Sequence, residues 1–226
     1  MHISEGILPP KWAGAWYAAA AVFVYRGIRE IERKAKVVPG YKPLLGMTGA
    51  FVFVISSLPI PVPIAGTCSH PAGTGLAAIL LGPFPSAVVT SVVLLLQALF
   101  MAHGGLTTLG ANIMSMGVAG SFAGYAAYRL AKRRLGVAPA AFLAGFLADV
   151  ATYATTSVEL CLGIHGSKPA AEAILKIMLA FVPTQLPLAI LEGAFTAGVV
   201  AYVYRHRPDI MAKLEGFARK GAIENA

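Results

Sequence analysis

The sequence predicts an all-α, polytopic membrane protein with about seven transmembrane helices, its N-terminus outside the cell and its C-terminus in the cytoplasm. Of its 226 residues, 57% are hydrophobic and only 12% are charged, a composition too apolar for an ordinary soluble domain. The hydrophobic residues form long runs, and Lys and Arg cluster between them. Because basic residues collect on the cytoplasmic side of membrane proteins, the net charge of +8 indicates orientation in a lipid bilayer and not binding to nucleic acid.

Each predicted span is an apolar run that ends at charge, glycine or proline. Only Lys11 precedes the first run and a basic stretch follows it, which is the reverse of the charge order in a cleaved signal peptide, so we expect an uncleaved first helix. The last apolar region is too long for one straight span, and we expect Pro183 and Pro187 to interrupt it. Residues 170–182 would then form an outer or oblique helix. The expected spans are 12–25, 44–58, 76–81, 86–101, 113–130, 139–162 and 186–204.

The distribution of Lys and Arg gives the expected topology. With seven crossings, loops 26–43 and 129–137 and the tail lie in the cytoplasm and hold 15 of the 18 basic residues. This assignment of the basic residues requires the short run 76–81 to cross the membrane as well. We therefore expect a single domain in the cell membrane, residues 1–226, made of a metal-binding N-terminus, two outer loops and a cytoplasmic tail. These parts are residues 1–11, 59–75, 102–112 and 205–226.

The first two residues suggest a metal site. The Met1 amine, the deprotonated His2 amide and the His2 ring Nδ1 can bind one ion through three nitrogens in a plane. Planar nitrogen coordination suits Cu(II), Ni(II) and low-spin Co(II), whereas Zn(II) prefers a tetrahedron. The topology also places His70 on the outer side, in a glycine-rich turn that can approach the N-terminus closely. We expect His70 to be the fourth ligand.

Several residues near these histidines are expected to support the site. Ser69, Thr67 and Thr74 can orient the free ring nitrogen of His70. Cys68 is a candidate soft ligand, although a small apolar packing role is expected for it. In the second outer loop, His103 and Asn112 are expected to hold the site shut, and His165 and His206 are expected to be loop or surface residues.

Three acidic residues lie inside predicted spans, where ionisable groups are expensive. We expect Asp149, Glu159 and Glu192, with Gln185, to form an interhelical polar network that fixes packing. Glu159 is nearer the outer end and can also add negative potential toward a cation. The sequence contains no Gly-x4-Gly-Lys-Ser/Thr phosphate loop and no His-Glu-x-x-His or Gly-x-Ser-x-Gly motif, so the expectation is a protein that is not an enzyme.

Three motifs together resemble the CbiM/NikM family, the substrate-capture (S) subunits of energy-coupling-factor (ECF) transporters for cobalt and nickel. They are Met1-His-Ile-Ser-Glu-Gly6, the loop from Gly66 to Gly75 with the following Leu80-Leu-Gly-Pro83, and His103-Gly-Gly-Leu-Thr-Thr-Leu-Gly-Ala-Asn112 with Ser115-Met-Gly117. The resemblance implies a seven-helix subunit with an inserted N-terminus. It also implies that the Met1 amine, the His2 amide and ring, and His70 hold the metal.

The implied cargo is Co(II) or Ni(II), with no organic cofactor. The implied partners are a transmembrane coupling (T) subunit, a cytoplasmic ATPase pair and a small accessory membrane subunit, so ATP hydrolysis belongs to other chains. The link with cobalt also suggests a role in supplying cobalamin biosynthesis. Two alternatives stay open at this stage: a vitamin-binding S-subunit of the same transporter class, and a polytopic membrane metalloenzyme that uses a histidine cluster to activate water.

Overall fold

The structure is a computed structural model that describes residues 2–58, 60–61, 67–166 and 169–214. Helices dominate it, and three very short strands form a small sheet near the N-terminus. The helices are α1 (Pro10–Val37), α2 (Tyr41–Ser56), α3 (Thr74–Leu81), α4 (Pro83–Phe100), α5 (Leu109–Asn112), a π-helical stretch (Ile113–Gly120), α6 (Ser121–Leu135), α7 (Val137–Ile164) and α8 (Ala170–His206). The strands are β1 (His2–Ile3), β2 (Ile60–Pro61) and β3 (Thr67–Ser69).

The predicted helical, multi-pass membrane character is confirmed. Among the described residues, α4, α7 and α8 are long and apolar enough to cross a bilayer, and α2 is apolar but shorter. Helix α3 has 8 residues, all of them buried. At 1.5 Å per residue it is about 12 Å long, less than half of a hydrocarbon core of about 30 Å. The count of seven crossings and the orientation of the termini stay predictions.

The predicted cytoplasmic loops are largely helical. Residues 26–37 of the expected loop 26–43 continue α1, which runs for 28 residues to Val37. Glu30 and Lys34, one turn apart on this helix, form an ion pair at 2.6 Å that supports the extension. The second basic cluster likewise lies in the last turns of α6, which ends at Leu135 and is followed by Gly136, where φ is +83°. A charged stretch beyond an apolar run does not end a helix when its residues pair along one face.

The predicted break at Pro183 and Pro187 is wrong. Both prolines lie inside α8, which continues for 37 residues. An interior proline costs about 3 kcal/mol because it removes one backbone hydrogen bond and crowds the preceding turn. Close packing against α7 offsets this cost: a Cβ on Gly193 would lie 2.9 Å from the Phe142 carbonyl oxygen, and one on Gly145 would lie 2.7 Å from the Glu192 carbonyl oxygen. Away from water, the remaining backbone groups are also better satisfied inside the helix than outside it.

Helix α3 lies at the centre of the molecule, against α4, α6 and α7. Gly75 allows this approach, since a Cβ there would lie 2.8 Å from the Ala144 carbonyl oxygen on α7. The backbone that precedes α3 is therefore fixed by the core. That backbone carries His70.

The small sheet is the one departure from an all-α fold in the described part of the chain. Its strand order is β1-β3-β2, with both pairs antiparallel. His2 is paired with Cys68, and Ile3 with Thr67. The predicted outer loop 59–75 is thus partly extended and paired, and its pairing holds the N-terminus beside the turn that follows β3.

Candidate metal site

Three histidines and one cysteine converge where β1 meets β3. His2, Cys68, His70 and His103 each offer one ligand atom, and these four atoms lie within 4.8 Å of one another. The three imidazoles are buried, with His103 the most exposed at 8%. Their ring centroids are 4.1 to 5.2 Å apart. Burying three imidazoles ring against ring leaves little room for water, so their nitrogen atoms depend on partners within the protein or on a bound ion.

The closest contact joins the two histidines that were predicted as ligands. His2 Nδ1 lies 2.6 Å from His70 Nε2. The other nitrogen of His70, Nδ1, donates a hydrogen bond to the Pro71 carbonyl oxygen at 2.9 Å, because a carbonyl can only accept. In a neutral imidazole the proton on Nδ1 leaves Nε2 with its lone pair, and this lone pair faces His2. A proton or a metal ion has to lie between the two rings.

Helix α5 and the loop before it hold the N-terminal strand in place. The Asn112 side chain acts as a neighbouring strand would: its Oδ1 accepts from the Ile3 N–H at 2.8 Å, and its Nδ2 donates to the Ile3 carbonyl oxygen at 3.1 Å. Thr108 Oγ1 donates to the same carbonyl at 2.7 Å. These contacts fix the backbone next to His2, and Ile3 itself is fully buried.

Further along the N-terminal segment, the two carboxylate oxygens of Glu5 accept the Thr107 N–H at 3.1 and 3.2 Å. The Gly6 N–H donates to Thr107 Oγ1 at 3.1 Å. Gly105 allows this approach. A Cβ at Gly105 would lie 2.5 Å from the Glu5 Cα and 2.6 Å from its backbone nitrogen, so no side chain fits between the loop and the segment.

Helix α8 holds the opposite side of the site. Glu192 accepts the backbone N–H of Ala72 through Oε2 at 2.6 Å and that of Gly73 through Oε1 at 2.9 Å. Ser69 Oγ shares a 2.9 Å hydrogen bond with Thr184 Oγ1. Both contacts flank the histidine at position 70. The ring is therefore fixed from α8 as well as by its own turn.

The acidic residues of the predicted polar network take different positions. The Asp149 carboxylate on α7 accepts hydrogen bonds from Gln185 Nε2 on α8, and each carboxylate oxygen lies 2.7 Å from this nitrogen. Glu192 contacts the turn after His70 and also interacts electrostatically with Asp149. Glu159 is buried on α7, and within the described part of the chain its oxygens make no hydrogen bond. The structure thus joins Asp149 to Gln185 and places Glu159 apart from them.

The surroundings keep the imidazoles neutral. Burial lowers the pKa of His2 and of His70 well below the ordinary value of 6.5, and it lowers the pKa of His103 to about 4. Burial also raises the pKa of the Cys68 thiol. At neutral pH the site is therefore three neutral imidazoles and a protonated thiol, and neutral imidazole is the form that binds metal.

Other predicted residues are placed as follows. Met1, whose amine the prediction uses, lies outside the described residues. Thr67 pairs with Ile3 in the sheet, and Thr74 begins α3 with its hydroxyl buried. His165 follows α7, away from the cluster.

Sequence reasoning missed the residues that hold the ligands. These are Glu5, Pro71, Gln97, Thr107, Thr108 and Thr184, together with the role of Glu192. Gln97 contributes its backbone carbonyl, which accepts the His103 N–H at 3.2 Å. A usable signal existed for Glu5, Pro71, Thr107 and Thr108, since each of them stands within one of the three motifs. The contacts made by Thr184 and Glu192 join residues 115 and 120 positions apart in the chain.

Comparison with known proteins gives consistent matches. The family described as "CbiM: Cobalt uptake substrate-specific transmembrane region" matches residues 2–210. A cobalt transport protein CbiM from Geobacter sulfurreducens is 60% identical over 216 residues, which cover 95% of this chain and 62% of that protein. The chain thus spans less than two thirds of that relative. A cobalt transport protein CbiM from Sorangium cellulosum is 51% identical over 216 residues, covering 95% of this chain and 96% of that protein.

Two solved structures share the fold. A crystal structure described as a truncated transition metal transporter superposes with a TM-score of 0.80 at 28% identity, covering 91% of this chain and 99% of that one. A second, described as a transition metal transporter, gives a TM-score of 0.78 at 28% identity, with 91% and 93% covered. The helical arrangement that surrounds the histidine cluster is therefore similar to that of transition metal transporters of known structure.

Proposed function

The chain belongs to the CbiM family of cobalt-uptake transmembrane proteins, and from this premise we propose that it is the substrate-capture subunit of an ECF-type transporter that imports Co(II) or Ni(II). The metal is captured at the outer face by the Met1 amine, the His2 amide and ring, and His70. The observation that carries this proposal is the 2.6 Å separation of His2 Nδ1 and His70 Nε2 in a buried cluster.

That separation suits two neighbouring ligands of a planar site. With metal–nitrogen bonds of about 2.0 Å, adjacent ligand atoms at a right angle lie about 2.8 Å apart. In the proposed arrangement the His2 amide lies between the Met1 amine and the His2 ring, so His70 stands opposite the amide and next to Nδ1. The metal takes the place of the proton between the two rings, and the Pro71 carbonyl keeps His70 in the tautomer that offers Nε2.

Capture and release of the metal ion depend on the hydrogen bonds that hold the N-terminal strand β1 in place. Asn112, Thr108 and Thr107 hold residues 3–6 against the outer loop, and these contacts fix the backbone next to His2. Release then requires this loop to separate from β1. We propose that the loop 102–112 closes over the bound ion and that its opening frees the ion toward the cytoplasm.

Energy for that opening has to come from other chains, since this sequence has no phosphate loop for ATP hydrolysis. We propose a transmembrane coupling subunit, a pair of cytoplasmic ATPases and a small accessory membrane subunit as partners. The basic ends of α1 and α6 face the cytoplasm in this arrangement.

The direct test is a metal titration of purified protein with its native N-terminus and of a variant with one Gly added before Met1. We expect Ni(II) and Co(II) affinity to fall by more than about a hundredfold in the extended protein, since the amine leaves its chelating position. His70→Ala should have a comparable effect, and His206→Ala, which changes an exposed histidine on α8, should have none. Equal affinity for the native and extended proteins would rule out this site.

A further inference from the structure

Two members of the cluster, Cys68 and His103, have no part in the planar site. Cys68 Sγ lies 3.1 Å from His103 Nε2. His103 Nδ1 is buried and makes no hydrogen bond within the described part of the chain. The same cluster thus holds a thiol and an imidazole whose lone pairs the proposed capture of Co(II) or Ni(II) does not use.

We propose that Cys68 and His103, together with His2 and His70, form a second ligand set in this cluster that binds Zn(II) tetrahedrally without the Met1 amine. The proposal shares His2 and His70 with the proposed function and in that respect rests on it. Three imidazoles and one thiolate are a ligand set that suits zinc. On binding, the thiol loses its proton to solvent and the sulfur donates its lone pair to the ion.

The distances agree with such a site. With metal–nitrogen bonds of about 2.0 Å and metal–sulfur bonds of about 2.3 Å, ligand atoms in a tetrahedron lie about 3.3 to 3.6 Å apart. His2 Nδ1 and His70 Nε2 are 2.6 Å apart, Cys68 Sγ and His103 Nε2 are 3.1 Å apart, and the four ligand atoms of the cluster all lie within 4.8 Å of one another. In the proposed site, side-chain rotations bring the four atoms to these separations. The hydrogen bond from the His103 N–H to the Gln97 carbonyl holds the backbone of this ligand in place.

In this proposal, the coordination geometry that an ion prefers determines which ligands it uses. An ion that prefers a plane uses the amine and the amide, whereas a tetrahedral ion leaves the amide protonated and uses the thiolate and His103. Zn(II) would therefore compete with Co(II) and Ni(II) for His2 and His70 while it occupies a different site. Cys68 and His103 are the residues that distinguish the two modes.

The experiment titrates the purified full chain with Zn(II) and with Ni(II), each alone, in four forms: native, Gly-extended, Cys68→Ser and Cys161→Ser. We expect Cys68→Ser to weaken Zn(II) binding by about tenfold to a hundredfold and to leave Ni(II) binding within about threefold of the native value. The Gly-extended form should weaken Ni(II) binding and leave Zn(II) binding near the native value. Cys161→Ser is the matched control, a buried cysteine on α7 outside the cluster, and should change neither affinity.

The outcomes separate the two proposals. Native Zn(II) affinity in Cys68→Ser would overturn the tetrahedral site whatever Ni(II) does, and loss of Zn(II) binding in the Gly-extended form would show that zinc needs the amine. Unchanged Ni(II) affinity in the Gly-extended form would instead overturn the planar site alone. Should Cys68→Ser be unstable, His103→Gln serves as the second variant. A thiolate-to-cobalt charge-transfer band in the Gly-extended protein with Co(II), absent when Cys68 is also replaced, gives an independent signature.

Discussion

Glu192 is the residue whose replacement tests most directly how α8 controls the metal site. Its two oxygens accept the N–H groups of Ala72 and Gly73, and these residues follow the His70-Pro71 step. In Glu192→Gln one oxygen is replaced by an NH2 group, which cannot accept. One of the two buried N–H groups therefore loses its partner, while the shape and volume of the side chain stay the same.

The size of the effect follows from those two contacts. A buried donor left without a partner costs about 1 to 3 kcal/mol. If this cost destabilises the turn that carries His70, the equilibrium between the positioned and the displaced conformation of that turn shifts by about five- to 150-fold. Residues that hold a metal ligand in place typically contribute tenfold to a hundredfold in affinity. We expect the Ni(II) dissociation constant to rise by about tenfold to a hundredfold.

The assay is a Ni(II) titration in detergent, with the thermal midpoint of the metal-free protein measured in parallel. Glu172→Gln is the matched control, because Glu172 lies on the same helix and its ion pair with Lys176 is exposed. If Glu192→Gln bound Ni(II) as tightly as the native protein, Glu192 would not position His70. A lower midpoint with unchanged affinity would assign to Glu192 a role in packing alone.

Three further predictions concern the N-terminal segment and the loop 102–112 that contacts it. Asn112→Ala removes two buried hydrogen bonds to the backbone of β1, about 2 kcal/mol together, and should speed hydrogen exchange of residues 2–6 by about thirtyfold; unchanged exchange would contradict this. Gly105→Ala should abolish Ni(II) binding, since its Cβ would lie 2.5 Å from the Glu5 Cα, whereas Gly46→Ala has open space and should bind normally. Because burial holds the pKa of His103 at about 4, below the ordinary 6.5, the unfolded chain takes up its proton first as pH falls. The metal-free protein should therefore lose stability from about pH 6.5 down to about pH 4, and a thermal-midpoint series in His103→Gln should show a shallower decline.

The helical membrane class and the family could be predicted from the sequence, and both are confirmed. Apolar runs are a local property, since each stretch has to satisfy its own backbone hydrogen bonds away from water. Breaks in helices were predicted less well. Pro183 and Pro187 are strong local signals, but packing against α7 outweighs them.

For the site, the sequence by itself indicated His2 and His70, because a histidine in second position and a histidine in a glycine-rich turn have recognisable local chemistry. Only the tertiary structure decided what holds them. Asn112 was expected to help hold the site shut, but its partner Ile3 lies 109 residues away in the chain, and Glu192 is 120 residues from Ala72. Likewise, the Cys68–His103 contact joins residues 35 positions apart. Contacts over such separations depend on how helices pack against one another, and one chain's residue order does not specify which distant polar side chain will face a given backbone group.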